Sequence, residues 1–256
     1  MDDLFSLQGR VALVTGGSRG IGRMIAAGFL RQGARVYITA RKAAACEATA
    51  AELAPLGTCV SVPADVSSVS ACQALAAEIA RREPAGLDIL VNNAGAAWGE
   101  SFDTFPEKGW DKVMDLNVKT PFFLTQALHP QLKAAGTRRP AKVIHIASID
   151  GVSVNPLETY SYAASKAGLI HLTKRMALRL AQDNIVVSAI APGAFASEMN
   201  KDARDHGDEV ARRIPAGRIG TDEDMAGAAI FLASRAGDYV VGETLVVDGG
   251  VTHARG

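Results

Sequence analysis

Val14-Thr15-Gly16-Gly17-Ser18-Arg19-Gly20-Ile21-Gly22 joins the end of an apolar, β-branched run (10–15) to the start of a helical pattern (21–32). A strand, a glycine-rich turn and a helix in that order aim main-chain amides and the positive end of a helix dipole at one point. Glycines let the backbone approach a pyrophosphate closely, and the amides stabilise its charge. An ordinary tight turn is also glycine-rich; the position between strand and helix is what gives this one weight. Gly16, Ser18, Arg19, Gly20, Ile21 and Gly22 are therefore candidate contacts to a dinucleotide.

Outward from this turn the same alternation recurs. Strands are expected at 10–15, 35–40, 59–62, 87–92, 142–147, 186–190 and 244–247, and helices at 21–32, 43–53, 69–82, 108–134, 159–182 and 222–234. Strands separated by helices read as an α/β parallel sheet, and right-handed crossovers put helices on both faces, a seven-stranded doubly wound arrangement. The 256 residues suit one domain, 1–256, with no repeat and no Pro/Gly/Ser-rich linker. Residues 194–213 break the regularity, mixing charges with few large apolar side chains. A mobile loop with a short helix is expected there, either a lid over a ligand or a solvated excursion.

Composition narrows the function. Hydrophobic residues at 48% and charged residues at 21% describe an ordinary folded protein, not a disordered one. Lys plus Arg and Asp plus Glu both number 27, so no overall field attracts nucleic acid. Cys46, Cys59 and Cys72 lack zinc-site spacing, and His129, His145, His171, His206 and His253 form no ligand cluster, so no metal is expected. Met1-Asp2-Asp3 is acidic where a secretory leader is basic, and no apolar run spans a bilayer, so a cytoplasmic protein is expected.

At the end of the second strand, where an NAD-binding sheet places a ribose-binding carboxylate, stands Ala40-Arg41. Without that carboxylate nothing repels a 2′-phosphate, and Arg41 with Arg19 offers it planar charged donors, so NADPH is expected over NADH unless both are surface charges. Asp65-Val66 follows the third strand, and Asn92-Asn93-Ala94-Gly95 ends the fourth. Asp65 is a candidate acceptor for an adenine amino group, and Asn92, Ala94 and Gly95 lie where ligands collect; each can equally serve local turns.

Tyr162 and Lys166, four apart in a helical pattern, project from one face. A phenol is a slow acid at neutral pH, and a neighbouring ammonium is expected to bring it toward the working range. Spacing alone is weak evidence. Ser148, just past the fifth strand, adds a hydroxyl that can polarise a carbonyl beside Tyr162, and Asn117 lies in the long helix before it.

Taken together, Thr15-Gly16-x3-Gly20-x-Gly22, Asn92-Asn93-Ala94-Gly95, Asn117, Ser148, Tyr162-x3-Lys166 and Pro192-Gly193 stand in the order of a short-chain dehydrogenase/reductase, and the resemblance runs nearly the whole chain to Asp248-Gly249-Gly250. It implies a single-domain Rossmann fold. It also implies that Tyr162 gives a proton to a carbonyl oxygen held by Ser148 while NADPH supplies hydride. Lys166 would bond the nicotinamide ribose and tune Tyr162, and Asn117 would hold a water that relays protons. Pro192, Gly193, Phe195 and Ser197 would meet the nicotinamide carboxamide and the phosphates. Three departures stand out: the interval from Ser148 to Tyr162 is one residue longer than is common, Ser197 replaces the usual Thr, and Tyr160 lies close by. Ala164 stands where Tyr160 would need a lysine, which leaves Tyr162 as the acid.

Within that family the glycine turn and Arg41 look closest to NADPH-dependent 3-oxoacyl (beta-ketoacyl) thioester reductases. The substrate is then a small-molecule carbonyl, an acyl thioester or an acyl carrier protein conjugate. Trp98, Val152, Leu157, Phe195 and Met199 are candidate apolar pocket residues, and Arg204, Arg212 and Arg213 candidate contacts for a carrier's phosphates. Reduction or oxidation of a sugar, polyol, steroid or xenobiotic carbonyl is the alternative, and a non-catalytic nucleotide sensor a more distant one. The resemblance also suggests a homotetramer or homodimer, packed through 108–134 and 159–182.

Overall fold

The computed structural model describes residues 3–198 and 200–254. Seven strands form one sheet: β1 (Val11–Thr15), β2 (Arg35–Thr39), β3 (Cys59–Ser61), β4 (Ile89–Asn92), β5 (Ala141–Ile146), β6 (Ile185–Pro192) and β7 (Thr244–Val247). Every pairing is parallel, in the order β3-β2-β1-β4-β5-β6-β7. The direction of winding reverses at β1 and β4, and the crevice between their carboxyl ends is where such a sheet binds ligands.

Apolar runs such as Ile-Val-Val-Ser-Ala-Ile-Ala-Pro in β6 arise because both sheet faces are covered. Alternate residues of one strand enter different cores: Ala12 and Val14 meet Met24, Phe29, Met225 and Leu232, while Leu13 meets Leu75, Ile79, Leu124 and Leu128. The first face carries α1 (Gly20–Arg31), α2 (Ala43–Leu53) and α9 (Asp222–Ala233); the second carries α3 (Val69–Arg82), α4 (Glu107–Met114), α5 (Thr120–Gly136) and α6 (Tyr160–Leu180). Ser68 caps α3 through Ala71 N at 3.2 Å, and Thr221 with Asp224 forms a capping box on α9.

The helix expected over 108–134 is not continuous. α4 passes into a π turn at Asp115–Lys119 before α5 begins. Pro121 has no N–H to give to its regular partner four residues back, Asn117 O, and its ring crowds that carbonyl, so the ladder must widen there. In 194–213 the structure places two one-turn helices, α7 (Lys201–Asp205) and α8 (Gly207–Ala211), the first capped by Asn200 Oδ1 on Ala203 N at 3.1 Å. Met199 lies outside the described residues.

β5 carries a buried histidine on its α6 side. His145 is 0% exposed, with Nδ1 3.0 Å from Thr173 Oγ1. Thr173 already donates to Leu169 O at 2.8 Å, so Nδ1 carries the imidazole proton and the buried Nε2 has no partner. Burial, helped by the nearby Lys166 charge, pushes the imidazole down to about 3. The unfolded chain therefore binds this proton before the folded one does, so stability falls as pH drops below about 6.5, by roughly 2 kcal/mol at about pH 5. Urea titrations across pH should show this slope, and His145→Leu should flatten it.

Candidate active site

Thr15 closes β1, and its hydroxyl is fully used. Oγ1 donates to Val91 O at 3.2 Å and accepts from Asn93 N at 2.9 Å and Ala94 N at 3.0 Å. Asn93 Nδ2 returns to Thr15 O at 2.8 Å and Gly16 O at 3.2 Å. The turn after β1 is thus tied to the segment after β4. Gly16 has φ +64, and a Cβ there would lie 2.9 Å from Asn93 Nδ2; one on Gly22 would lie 2.4 Å from Gly16 O. Only glycines allow that closeness.

The loop fits an anionic nucleotide. α1 has no side-chain cap and no acidic residue in its first turn, which leaves its leading amides for an external acceptor. Arg19 and Arg41 are exposed and form no ion pair among the described residues. Ser197 reaches over the loop, where a Cβ on Gly20 would lie 3.2 Å from Ser197 Cβ; Ser197 Oγ accepts from Asn200 N at 3.0 Å. Gly193 rests on Asp248 after Pro192 closes β6. Asp65 is exposed and accepts from Ser67 N at 3.0 Å.

Several of the expected contact residues have groups engaged within the fold. Val66 is a core side chain, and its carbonyl accepts from Thr120 Oγ1 at 2.6 Å. Asn92 is 3% exposed and donates to Thr125 Oγ1 at 3.1 Å, away from the loop. Ile21 packs against the core on the α1 side. Ser18 gives its carbonyl to Thr49 Oγ1 at 2.8 Å. Ala94 N is taken by Thr15, and Gly95 abuts the Asn117 amide.

In the neighbouring crevice α6 and the end of β5 bring Ser148, Tyr162 and Lys166 together. Ser148 is a buried hydroxyl beside the Tyr162 phenol, on which it acts as a lowering influence, and its Oγ accepts from Asp150 N at 3.2 Å. Lys166 Nζ lies 5.5 Å from the Tyr162 ring centroid and donates to Ile146 O at 2.7 Å. Burial pushes the ammonium down to about 8. Burial likewise pushes Tyr162 up to about 12, against the Ser148 hydrogen bond that lowers it. The lowering expected from Lys166 is not among the influences on the phenol; desolvation dominates and holds it protonated, the state of a proton donor.

The side chain of Asn117 is a brace, which leaves its main-chain carbonyl as the group that could hold a water. Its Oδ1 accepts from Ala96 N at 2.8 Å, and Nδ2 donates to Ala96 O and to Ser165 Oγ, both at 2.9 Å. Ser165 Oγ in turn donates to Tyr162 O at 2.7 Å. Asn93 and Ser165 are the positions that sequence reasoning left out of the site. Their only signals were adjacency to a motif and a place one residue before Lys166.

The mouth also differs from expectation. Phe195 is 2% exposed, its ring pressed on Gly220. Trp98 packs on Gly109, with Lys108 and Lys112 at 6.0 and 5.5 Å from its ring centroid. Arg204 is paired with Glu198 and Asp205 within its own segment. Val152 and Leu157, expected as apolar pocket residues, are exposed, as are Val154 and Phe102. Glu100 N donates to Glu158 O at 3.2 Å, which joins the loops on either side.

A nucleotide-fitting loop at the winding reversal, with Ser148, Tyr162 and Lys166 in the next crevice, defines a short-chain dehydrogenase/reductase, and the chain belongs to that family. The family model described as enoyl-(acyl carrier protein) reductase matches residues 16–252. The rhamnolipids biosynthesis 3-oxoacyl-[acyl-carrier-protein] reductase of Pseudomonas aeruginosa is 46% identical, covering 98% of this chain and 99% of its own. The RhlG/NADP complex from Pseudomonas aeruginosa superposes with TM-score 0.94 at 45% identity, covering 98% of this chain and 100% of that one. A 2-dehydro-3-deoxy-D-gluconate 5-dehydrogenase of Dickeya dadantii is 40% identical over 96% of each chain.

Thr15→Val keeps the shape but strands two amides and one carbonyl. It is expected to destabilise the fold by about 2–4 kcal/mol in urea unfolding.

Proposed function

We propose that the protein is an NADPH-dependent reductase that converts a 3-oxoacyl thioester to its 3-hydroxyacyl product. The observation that carries the reading is the grouping of buried Ser148 and Lys166 around the Tyr162 phenol, with Lys166 Nζ 5.5 Å from its ring centroid, next to an uncapped α1 flanked by Arg19 and Arg41. The glycine loop, Arg19 and Arg41 would hold the nucleotide, with main-chain contacts from residues 66, 92, 94, 193 and 195. When bound, NADPH supplies hydride to the carbonyl carbon.

The protein's own part is orientation and proton transfer. Ser148 donates to the substrate oxygen and fixes it beside Tyr162; the phenol gives that oxygen its proton as charge builds there. Lys166 keeps a positive charge close, with the Ile146 carbonyl setting its direction. A water relaying protons to solvent would sit on Asn117 O, the carbonyl that Pro121 leaves without its regular helical donor. Val152, Val154, Leu157 and Phe102 form an apolar rim suited to an acyl chain, and residues 194–213 serve as its lid.

A sugar or polyol carbonyl is the second reading. It is favoured by the polar pair Asp150 and Asn155 beside Ser148 and by the gluconate-type relative. Two- or four-subunit assembly in the cytoplasm is proposed through the apolar groove between α5 and α6, lined by Phe122, Leu172, Met176 and Leu180. Phe122→Asp should then yield a smaller species in sedimentation.

Cofactor absorbance with short and long 3-oxoacyl thioesters and a sugar panel tests the reaction. NADPH-selective turnover of the thioesters is expected, with Tyr162→Phe lowering kcat/KM by about 10²–10⁴-fold. Arg41→Asp should shift selectivity toward NADH. Thioester inactivity with sugar turnover would transfer the assignment to the second reading.

A further inference from the structure

Asp150 lies on the single turn Ile149–Gly151 that follows Ser148. Its N–H donates to Ser148 Oγ at 3.2 Å, and its Oδ1 accepts from Asn155 Nδ2 at 2.6 Å. The next residue seats the turn on α6: a Cβ on Gly151 would lie 2.6 Å from the Lys166 main-chain carbon. Ser148, at the other end of the turn, acts on the Tyr162 phenol beside it. The half-buried Asp150 carboxyl is thereby held on the turn that joins Ser148 to the Lys166 segment of α6.

We propose that Asp150 is a positioning residue of the active site, held by Asn155 and the Ser148 turn so that its negative charge keeps Tyr162 and Lys166 protonated during carbonyl reduction. The inference rests on the proposed reading of Tyr162 and Lys166 as the proton-handling pair. It adds a third charge that the pair itself does not require.

The electrostatics run in one direction. Burial drives the Lys166 ammonium toward its neutral form, and Asp150 opposes this. For Tyr162, Asp150 adds to burial and resists the Ser148 hydrogen bond. Asp150 itself is raised by burial, while Asn155 and Lys166 favour its charged form. The remaining titratable group of β5 acting on this cluster is His145, which is neutral. Removing the anion makes both Tyr162 and Lys166 easier to deprotonate. Whichever of them limits proton donation, the alkaline limb of reduction must then move to lower pH.

The experiment compares wild type with Asp150→Asn, which preserves shape and the Asn155 contact. kcat/KM for reduction is followed across pH, and the pH midpoint of the Lys166 signal is read in lysine-labelled protein by NMR, assigned with Lys166→Arg. Both the limb and the midpoint should fall by roughly 0.5–1 unit, a rate loss of about 3- to 10-fold on the limb, with KM for NADPH unchanged near neutrality. Asn155→Ala, which loosens the carboxylate without removing it, should lower kcat and move the limb less. An unchanged Lys166 midpoint in Asp150→Asn overturns the proposal, as does an unchanged limb with lower kcat alone. Absent turnover in the wild type would defeat the reductase reading, and the Lys166 midpoint would still decide the role of Asp150. Should Asp150→Asn misfold, Asp150→Ser provides the same two readings.

Discussion

One hydroxyl group sets the reference point for the site. Thr15 Oγ1 binds three main-chain groups across the reversal of the sheet, and everything beyond β4 is positioned from there. From Ala94 the chain reaches Ala96, whose N–H and C=O both bond the Asn117 amide; Asn117 reaches Ser165, and Ser165 reaches the carbonyl of Tyr162. This hydrogen-bonded path, largely buried, runs from the glycine loop to the main chain of Tyr162. Partly satisfied networks of this kind are costly, so the path behaves as a unit rather than as separate contacts. The two halves of the proposed reaction come from different strands and helices, and the path holds them in register.

The opposite end of the sheet is braced by charge instead. Arg10 is 3% exposed and donates to Ala233 O at 2.8 Å and Pro140 O at 2.5 Å, with Asp88 alongside; Lys142 pairs with Asp238 at 2.7 Å. Burial pushes Arg10 down to about 10, so it remains charged and needs those acceptors. Ion pairs thus fasten the amino ends of the strands, while neutral hydrogen bonds fasten the carboxyl ends. The positive charges of Arg19, Arg41 and Lys166 are left for chemistry.

Period and turn chemistry made most of the architecture legible. The apolar runs of β1 and β6, and the caps at Ser68 and Thr221, mark elements that the structure places within about two residues of their expected ends. What escaped was the break at Asp115–Lys119. Helical periodicity continues through it, and only Pro121, four residues beyond Asn117, signalled a carbonyl deprived of its donor. The site was legible as a set of residue types in order, not as a set of directions. Asn92, Val66 and Phe195 hold their expected places in the chain, yet their side chains turn into the core, because orientation is decided by packing partners far away in sequence. Trp98 and Arg204 were likewise engaged by near neighbours, Gly109 in one case and Glu198 with Asp205 in the other.

Desolvation explains why a third charge belongs in such a site. A Tyr–Lys pair is usually credited with easing the phenol's ionisation, but enclosure costs the ammonium as much as it costs the phenolate. Without compensation, burial would discharge Lys166 near neutral pH and remove the field it is meant to supply. A carboxylate nearby restores that field, at the expense of raising the phenol further. The raised phenol keeps its proton but gives it up less readily, so the gain from the carboxylate lies in the charge it preserves on Lys166. The electrostatic arrangement around Ser148, Asp150, Tyr162 and Lys166 therefore holds both the phenol and the ammonium toward their protonated forms, against the burial that would discharge Lys166.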